Sequence, residues 1–124
     1  MAILEKKKSK IHKFGIFTKN FIANGEKFYV VPLDNIFNVP KSGCAFIGNN
    51  RYACDNKVLN FVNHSCEPNS LLDIEVEEPC LISLRDISAG EEITCDYNRT
   101  EVGGTKVKCT CGSKNCKGYF LRRE

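Results

Sequence analysis

Apolar positions along the chain fall in short runs. Gly15 to Thr18, Lys27 to Val31, Cys80 to Leu84 and Glu92 to Cys95 are rich in β-branched or aromatic residues, which suit a pleated, half-buried strand. Turn formers separate them: Asn24-Gly25, Val31-Pro32, Val39-Pro40, Ser42-Gly43, Gly48-Asn49-Asn50, Pro68-Asn69, Ala89-Gly90 and Gly103-Gly104. Short strands with frequent turns predict a mainly β domain. One segment carries a helical signature. Asp55 to Val62 puts Val58, Phe61 and Val62 at i, i+3 and i+4, with Asp55 placed to cap it. Gly103-Gly104 reads as a hinge before a cysteine-rich tail. No repeat, low-complexity tract or long amphipathic helix is visible.

A chain of 124 residues has room for one modest core and not for two. Its 42% hydrophobic and 27% charged residues are those of an ordinary globular protein. No apolar run approaches the roughly 18 residues of a membrane span. The lysine-rich start has no apolar segment behind it, so it does not read as a secretory signal and predicts an intracellular, reducing setting. There, eight cysteines point to metal binding or catalysis more than to disulfides. Cys44, Cys54, Cys80 and Cys95 stand singly among apolar neighbours and read as buried thiols.

Charge is segregated beneath a net +3. Residues 1–27 hold seven lysines against two glutamates, residues 65–96 nine acids against Arg85 alone, and residues 97–124 seven bases against two acids. An acidic middle between basic ends suits a basic peptide partner, although solvated loop faces would give the same pattern. The acidic stretch argues against a small nucleic-acid binder built on the basic ends.

Three motifs carry chemistry. Cys109, Cys111 and Cys116 have C-x-C-x4-C spacing, three soft ligands where a structural zinc site takes four; sequence spacing does not name the fourth. Asn63-His64-Ser65-Cys66-Glu67-Pro68-Asn69 reads as a polar turn. Its adjacent Cys66 and His64 do not form a nucleophile–base pair, because neighbours along the chain seldom face one another. Gly90-Glu91-Glu92-Ile93-Thr94-Cys95-Asp96-Tyr97 is a turn running into a strand that ends in Asp-Tyr.

Taken in order and with Phe14-Gly15-Ile16-Phe17 and Ile22-Ala23-Asn24-Gly25-Glu26 before them, these motifs resemble the SET-domain family of protein-lysine methyltransferases with its post-SET zinc tail. The resemblance covers about residues 9 to 120. It implies a β-clip of short strands with few short helices and a knot-like crossing of residues 63–69 against the segment leading to Tyr97, an exception to the unknotted rule. It also implies a SET domain at 1–104 with a zinc-binding tail at 105–124 packed on it. The activity implied is methyl transfer from S-adenosylmethionine to a lysine amine of a protein, a histone or another basic protein. A SET-like binding module without turnover is the alternative.

The site residues implied by the resemblance follow. Phe14, Gly15, Asn63, His64, Tyr97 and Phe120 would hold the cofactor, with Tyr97 catalytic at the mouth of the lysine channel. Cys66 would be the fourth ligand to one structural zinc, beside Cys109, Cys111 and Cys116. Cys95, Tyr119 and Tyr52 would border the substrate channel. The partner would be a basic protein or peptide, with no nucleic acid required and no membrane; the location would be nuclear in a eukaryote and cytoplasmic otherwise. The chain departs from the pattern at Lys13, where the family has the first glycine of G-x-G, at Asn60 in place of an arginine, and at Cys95, where Phe or Tyr is common.

Overall fold

The computed structural model describes residues 2–41, 44–101 and 104–122. Strands dominate: β1 (Leu4–Lys8), β2 (Phe14–Thr18), β3 (Lys27–Val30), β4 (Ile36–Phe37), β5 (Ala45–Phe46), β6 (Tyr52–Ala53), β7 (Asn63–His64), β8 (Ser70–Asp73), β9 (Cys80–Ser83), β10 (Glu92–Cys95), β11 (Thr105–Lys108) and β12 (Tyr119–Arg122). Their sheets have the orders β1-β2-β10-β7, β3-β9-β8, β4-β6-β5 and β11-β12. The four apolar runs read from the sequence are β2, β3, β9 and β10. Ile16 of β2 and Ile93 of β10 pair directly, and both are almost fully buried in a core with Ile22, Phe28, Val31, Ile47, Val62, Leu81 and Ile87. Gly90 makes the turn into β10 with φ +90, a conformation glycine adopts without a Cβ penalty. Ser42-Gly43, and Gly103 of the expected hinge, lie outside the described residues.

The helix expected over Asp55 to Val62 is reduced to a 3-10 turn at Leu59–Phe61. Asp55 does bind the backbone ahead of it, accepting from the N–H groups of Lys57 (3.1 Å), Val58 (3.4 Å) and Leu59 (3.0 Å). But Val58 sits at φ −130, ψ −66, and Val62 is already extended. The chain must leave in strand geometry because Asn63 and His64 pair in parallel with Thr94 and Cys95. Tertiary pairing overrides the local periodicity. A short helix the sequence did not signal, α1 (Tyr97–Thr100), follows β10; Asp96 caps it by accepting from Asn98 N–H (3.0 Å). So the strand ends at Cys95, two residues before Tyr97.

Cys44 and Cys54 correct the expectation of four separate thiols: a disulfide joins them, with Cα atoms 4.3 Å apart. The reason is register. β5 and β6 are antiparallel with Ala45 opposite Ala53, so the residues just outside that pair face each other. Cys80 and Cys95 are buried free thiols.

Residues 63–70 are laid against β10 by side chains as well as backbone. Asn69 donates from Nδ2 to the Glu92 carbonyl (2.7 Å) and accepts at Oδ1 from Thr94 N–H (2.9 Å), while Ser70 Oγ donates to the Thr94 carbonyl (2.7 Å). The segment the resemblance places in a crossing is thus fixed onto the strand that delivers Tyr97. Among the described residues no helix is long and apolar enough to cross a membrane.

Candidate active site

The β7–β10 pairing sets His64 beside Cys95 and brings Tyr97 over the polar turn. Tyr97 N–H donates to His64 Nδ1 (3.0 Å), and the Tyr97 hydroxyl donates to the Val62 carbonyl. His64 also stacks on Phe120 of β12 with ring centroids 5.0 Å apart, and Tyr97 meets Phe120 edge-on at 5.4 Å. Three rings from three elements therefore close around one point.

Electrostatics follow from the burial. Burial lowers the His64 pKa; Asp96, 3.6 Å from Nδ1, opposes this and Lys117 adds to it. Contrary to the expectation that near neighbours do not face one another, His64 Nε2 lies 3.4 Å from Cys66 Sγ. A neutral ring that accepts at Nδ1 carries its proton at Nε2, so it donates toward the sulfur and is no base for it. Burial and the nearby Cys95 push the Tyr97 phenol far above its ordinary range. It stays protonated at neutral pH, so it can donate a hydrogen bond and is no general base. Burial likewise raises the Cys95 thiol to about 12, leaving it a small neutral side chain.

A cavity of about 550 Å³ opens here, a size suited to a small-molecule ligand. Its walls include Phe14, Asn63, His64, Cys95, Tyr97 and Phe120. Five of the six residues assigned to the cofactor thus share one cavity, and Gly15 lies behind Phe14 beneath the Glu92 carboxylate. Cys95 of the channel set lines it too. Tyr52 does not: it packs on Phe46 at 5.4 Å, and the neighbouring Ala45 and Ala53 form that wall. Tyr119 also lies off the cavity lining, with Lys106 Nζ 4.6 Å from its ring.

Sequence reasoning passed over Glu101, buried on the wall and accepting from Phe46 N–H (3.2 Å), and the supports Ser9 and Glu92. Glu92 had a signal, as an acid inside an apolar strand. Ser9 and Glu101 had none.

The sulfur atoms of Cys66, Cys109, Cys111 and Cys116 lie within 4.8 Å of one another. Cys66 Sγ is 3.9 Å from Cys109 Sγ and 4.0 Å from Cys116 Sγ. A tetrahedral zinc with Zn–S near 2.3 Å needs sulfur separations of about 3.8 Å, so the cluster fits one such ion. Backbone N–H groups already point at the sulfurs, Lys117 to Cys66 (3.2 Å) and Gly118 to Cys116 (3.4 Å). Burial raises the Cys66 and Cys109 thiols. It would raise Cys111 as well, but hydrogen bonds from the Cys66 and Ser113 backbone and from Cys109 hold that thiol down to about 6. The donor set that three tail cysteines left incomplete is closed by Cys66 from the central turn.

Comparisons agree with this geometry. Residues 13–98 match the SET-domain family model, and the chain belongs to that family. A Plasmodium falciparum protein carrying a histone-lysine N-methyltransferase name is 35% identical over 134 residues, covering 90% of this chain and 2% of that protein. Histone-lysine N-methyltransferase ASHR3 of Arabidopsis thaliana is 46% identical over 64 residues, 48% of this chain and 13% of its own. The chain therefore spans only a small part of these relatives. Among solved structures, the methyltransferase domain of human histone-lysine N-methyltransferase SETMAR superposes with a TM-score of 0.71 at 20% identity, over 97% of this chain and 58% of that one. KRYPTONITE, in complex with DNA, a histone H3 peptide and SAH, gives 0.72 at 21% identity, over 96% and 29%.

Proposed function

We propose that the chain is a protein-lysine N-methyltransferase domain using S-adenosylmethionine, with one structural zinc in its tail. The observation that carries this is convergence: Asn63, His64, Tyr97 and Phe120 line one cavity, and Phe120 is carried by the strand that follows the four-sulfur cluster. The cavity fits such a cofactor in size and in its mix of ring faces and amide groups. When bound, the cofactor supplies an electrophilic methyl on a cationic sulfur.

The chain's own residues do the rest. Asn63 and His64 form the polar floor. Phe14 and Phe120 give apolar walls that exclude water. Tyr97, its hydroxyl proton given to the Val62 carbonyl, offers the phenol oxygen as an acceptor that orients the incoming amine through its N–H. Alignment of this kind accounts for most of the catalysis in a displacement needing no protein nucleophile. A lysine entering this apolar space next to a cationic sulfur is held below its ordinary pKa, which favours the neutral, attacking amine.

The relatives' names favour a histone or other basic protein as substrate. The acidic loop after β8, with Glu75, Glu77 and Glu78 exposed, would attract such a chain. Residues 1–104 would serve as the SET domain and 105–124 as the zinc tail, acting in the nucleus if the source is eukaryotic. The test is incubation with tritiated S-adenosylmethionine and a panel of basic proteins. Label on lysine is expected. Cofactor binding without transfer to any substrate would mark a binding module instead.

A further inference from the structure

Ile11, His12 and Lys13 form one rim of the cavity, and this rim is a loop with little backbone bonding of its own. Its internal closure is a single long hydrogen bond, Ser9 N–H to the Lys13 carbonyl (3.3 Å). A cofactor wall needs more restraint than that, and two side chains provide it.

Ser9 Oγ accepts from the N–H groups of Ile11 (3.0 Å) and His12 (3.4 Å) and donates to the Glu92 carboxylate, with Oε1 at 2.7 Å and Oε2 at 2.9 Å. Hydroxyl-to-carboxylate bonds are charge-assisted and among the stronger kinds. The same carboxylate takes Asn63 Nδ2 (2.8 Å), which also donates to the Phe14 carbonyl (2.8 Å) and approaches Ser9 Oγ (3.2 Å). A carboxylate can only accept, so it takes the NH2 end of the Asn63 amide and not its oxygen, and Glu92 fixes which way that amide faces. With Nδ2 committed, Oδ1 is the atom Asn63 has left to offer a ligand. Gly15 leaves the carboxylate its seat, since a Cβ there would lie 2.2 Å from Glu92 Oε2. From the tail, Thr110, which itself lines the cavity, donates from Oγ1 to the Ile11 carbonyl (2.9 Å) and stands between two cysteines of the sulfur cluster.

We infer that Ser9 and Thr110 are positioning residues that clamp loop 9–13 as the wall of the methyl-donor site, Ser9 tying it to the Glu92–Asn63 pair and Thr110 tying it to the cysteine tail. The inference rests on the cofactor reading above. It explains how the loop holds one path with Lys13 in place of a glycine, and it makes the tail a brace for the cofactor wall as well as a cover.

The experiment is calorimetric titration of the zinc-loaded chain with S-adenosylhomocysteine, together with amide hydrogen exchange over residues 10–13. Ser9→Ala is expected to weaken binding about tenfold and Thr110→Val about three- to fivefold, both with faster exchange in the loop. Thr110→Ser, which keeps the hydroxyl, should return both readouts to near wild type. In turnover the KM for the cofactor should rise while that for the peptide holds. Affinity within twofold of wild type in both Ser9→Ala and Thr110→Val would overturn the clamp. So would zinc loss in Thr110→Val, because the residue would then act through the metal. A wild-type chain that binds no S-adenosylhomocysteine would overturn the methyltransferase reading itself, a result distinct from either.

Discussion

Tyr97 illustrates how position dictates the task of a side chain. Its backbone N–H is spent on His64 and its hydroxyl on the Val62 carbonyl, so the ring is held at both ends before any substrate arrives. Tyr97→Phe removes the phenol oxygen proposed to meet the reacting amine and keeps the ring packed against Phe120. Transfer should fall about a hundredfold or more with the thermal midpoint little changed, measured by single-turnover assay and calorimetry. Cys95 is the β10 residue that lines the cavity, and its small side chain is uncharged. The room it leaves would suit di- or trimethyl product. Cys95→Tyr should shift the product toward monomethyl by mass spectrometry, and a wild type giving only monomethyl would refute the size argument.

At the scale of elements, Asp55 organises the approach to β7. It accepts three backbone N–H groups and the Tyr29 hydroxyl. Burial alone would raise its pKa, but the Tyr29 hydroxyl and the three N–H bonds prevail and lower it. The folded value therefore lies below the unfolded one. The stabilisation is complete above the ordinary carboxylate value near 3.8 and is lost as pH falls through the lower folded value. Asp55→Ala should reduce stability by about 2 kcal/mol at neutral pH by urea unfolding. Asp55→Asn should flatten the acid-side decline.

These elements also show what was legible beforehand. Strands β2, β3, β9 and β10 could be read because each is an apolar run whose core partner is another such run. β1, with lysines at 6, 7 and 8, could not: it is an edge strand in which Lys6 lies over Phe14 and Phe61 and Lys7 over Phe17, and periodicity does not register such contacts. The two-residue strands β4 to β7 are shorter than any repeat a pattern could establish. In the site, residues named by a motif were found together, whereas Glu101 and Thr110 reach the cavity, and Ser9 reaches Glu92 and Asn63, across distant segments and with no local mark.

Across the whole molecule, the cysteine cluster is a long-range join between a central turn and a tail more than forty residues later. Its ligation energy is folding energy for the tail. Cys66→Ser should lower zinc content and the thermal midpoint together, by atomic absorption and calorimetry. An unchanged stoichiometry would remove Cys66 from the ligand set. Chelation should leave β2, β3, β9 and β10 protected from exchange while β11 and β12 become labile, because only the last two lie on the metal's side of residue 104.

The stacking of Phe120 on His64 turns that join into a rule of sequence in time. A copy lacking its ion would lose the anchor that holds Phe120 over His64, and with it the grip on the methyl donor. Metal supply would then decide how many copies work, and not how well each one works. In a preparation titrated with sub-stoichiometric zinc, the maximal rate should climb in proportion to the ion added, while the donor concentration giving half that rate stays where it began.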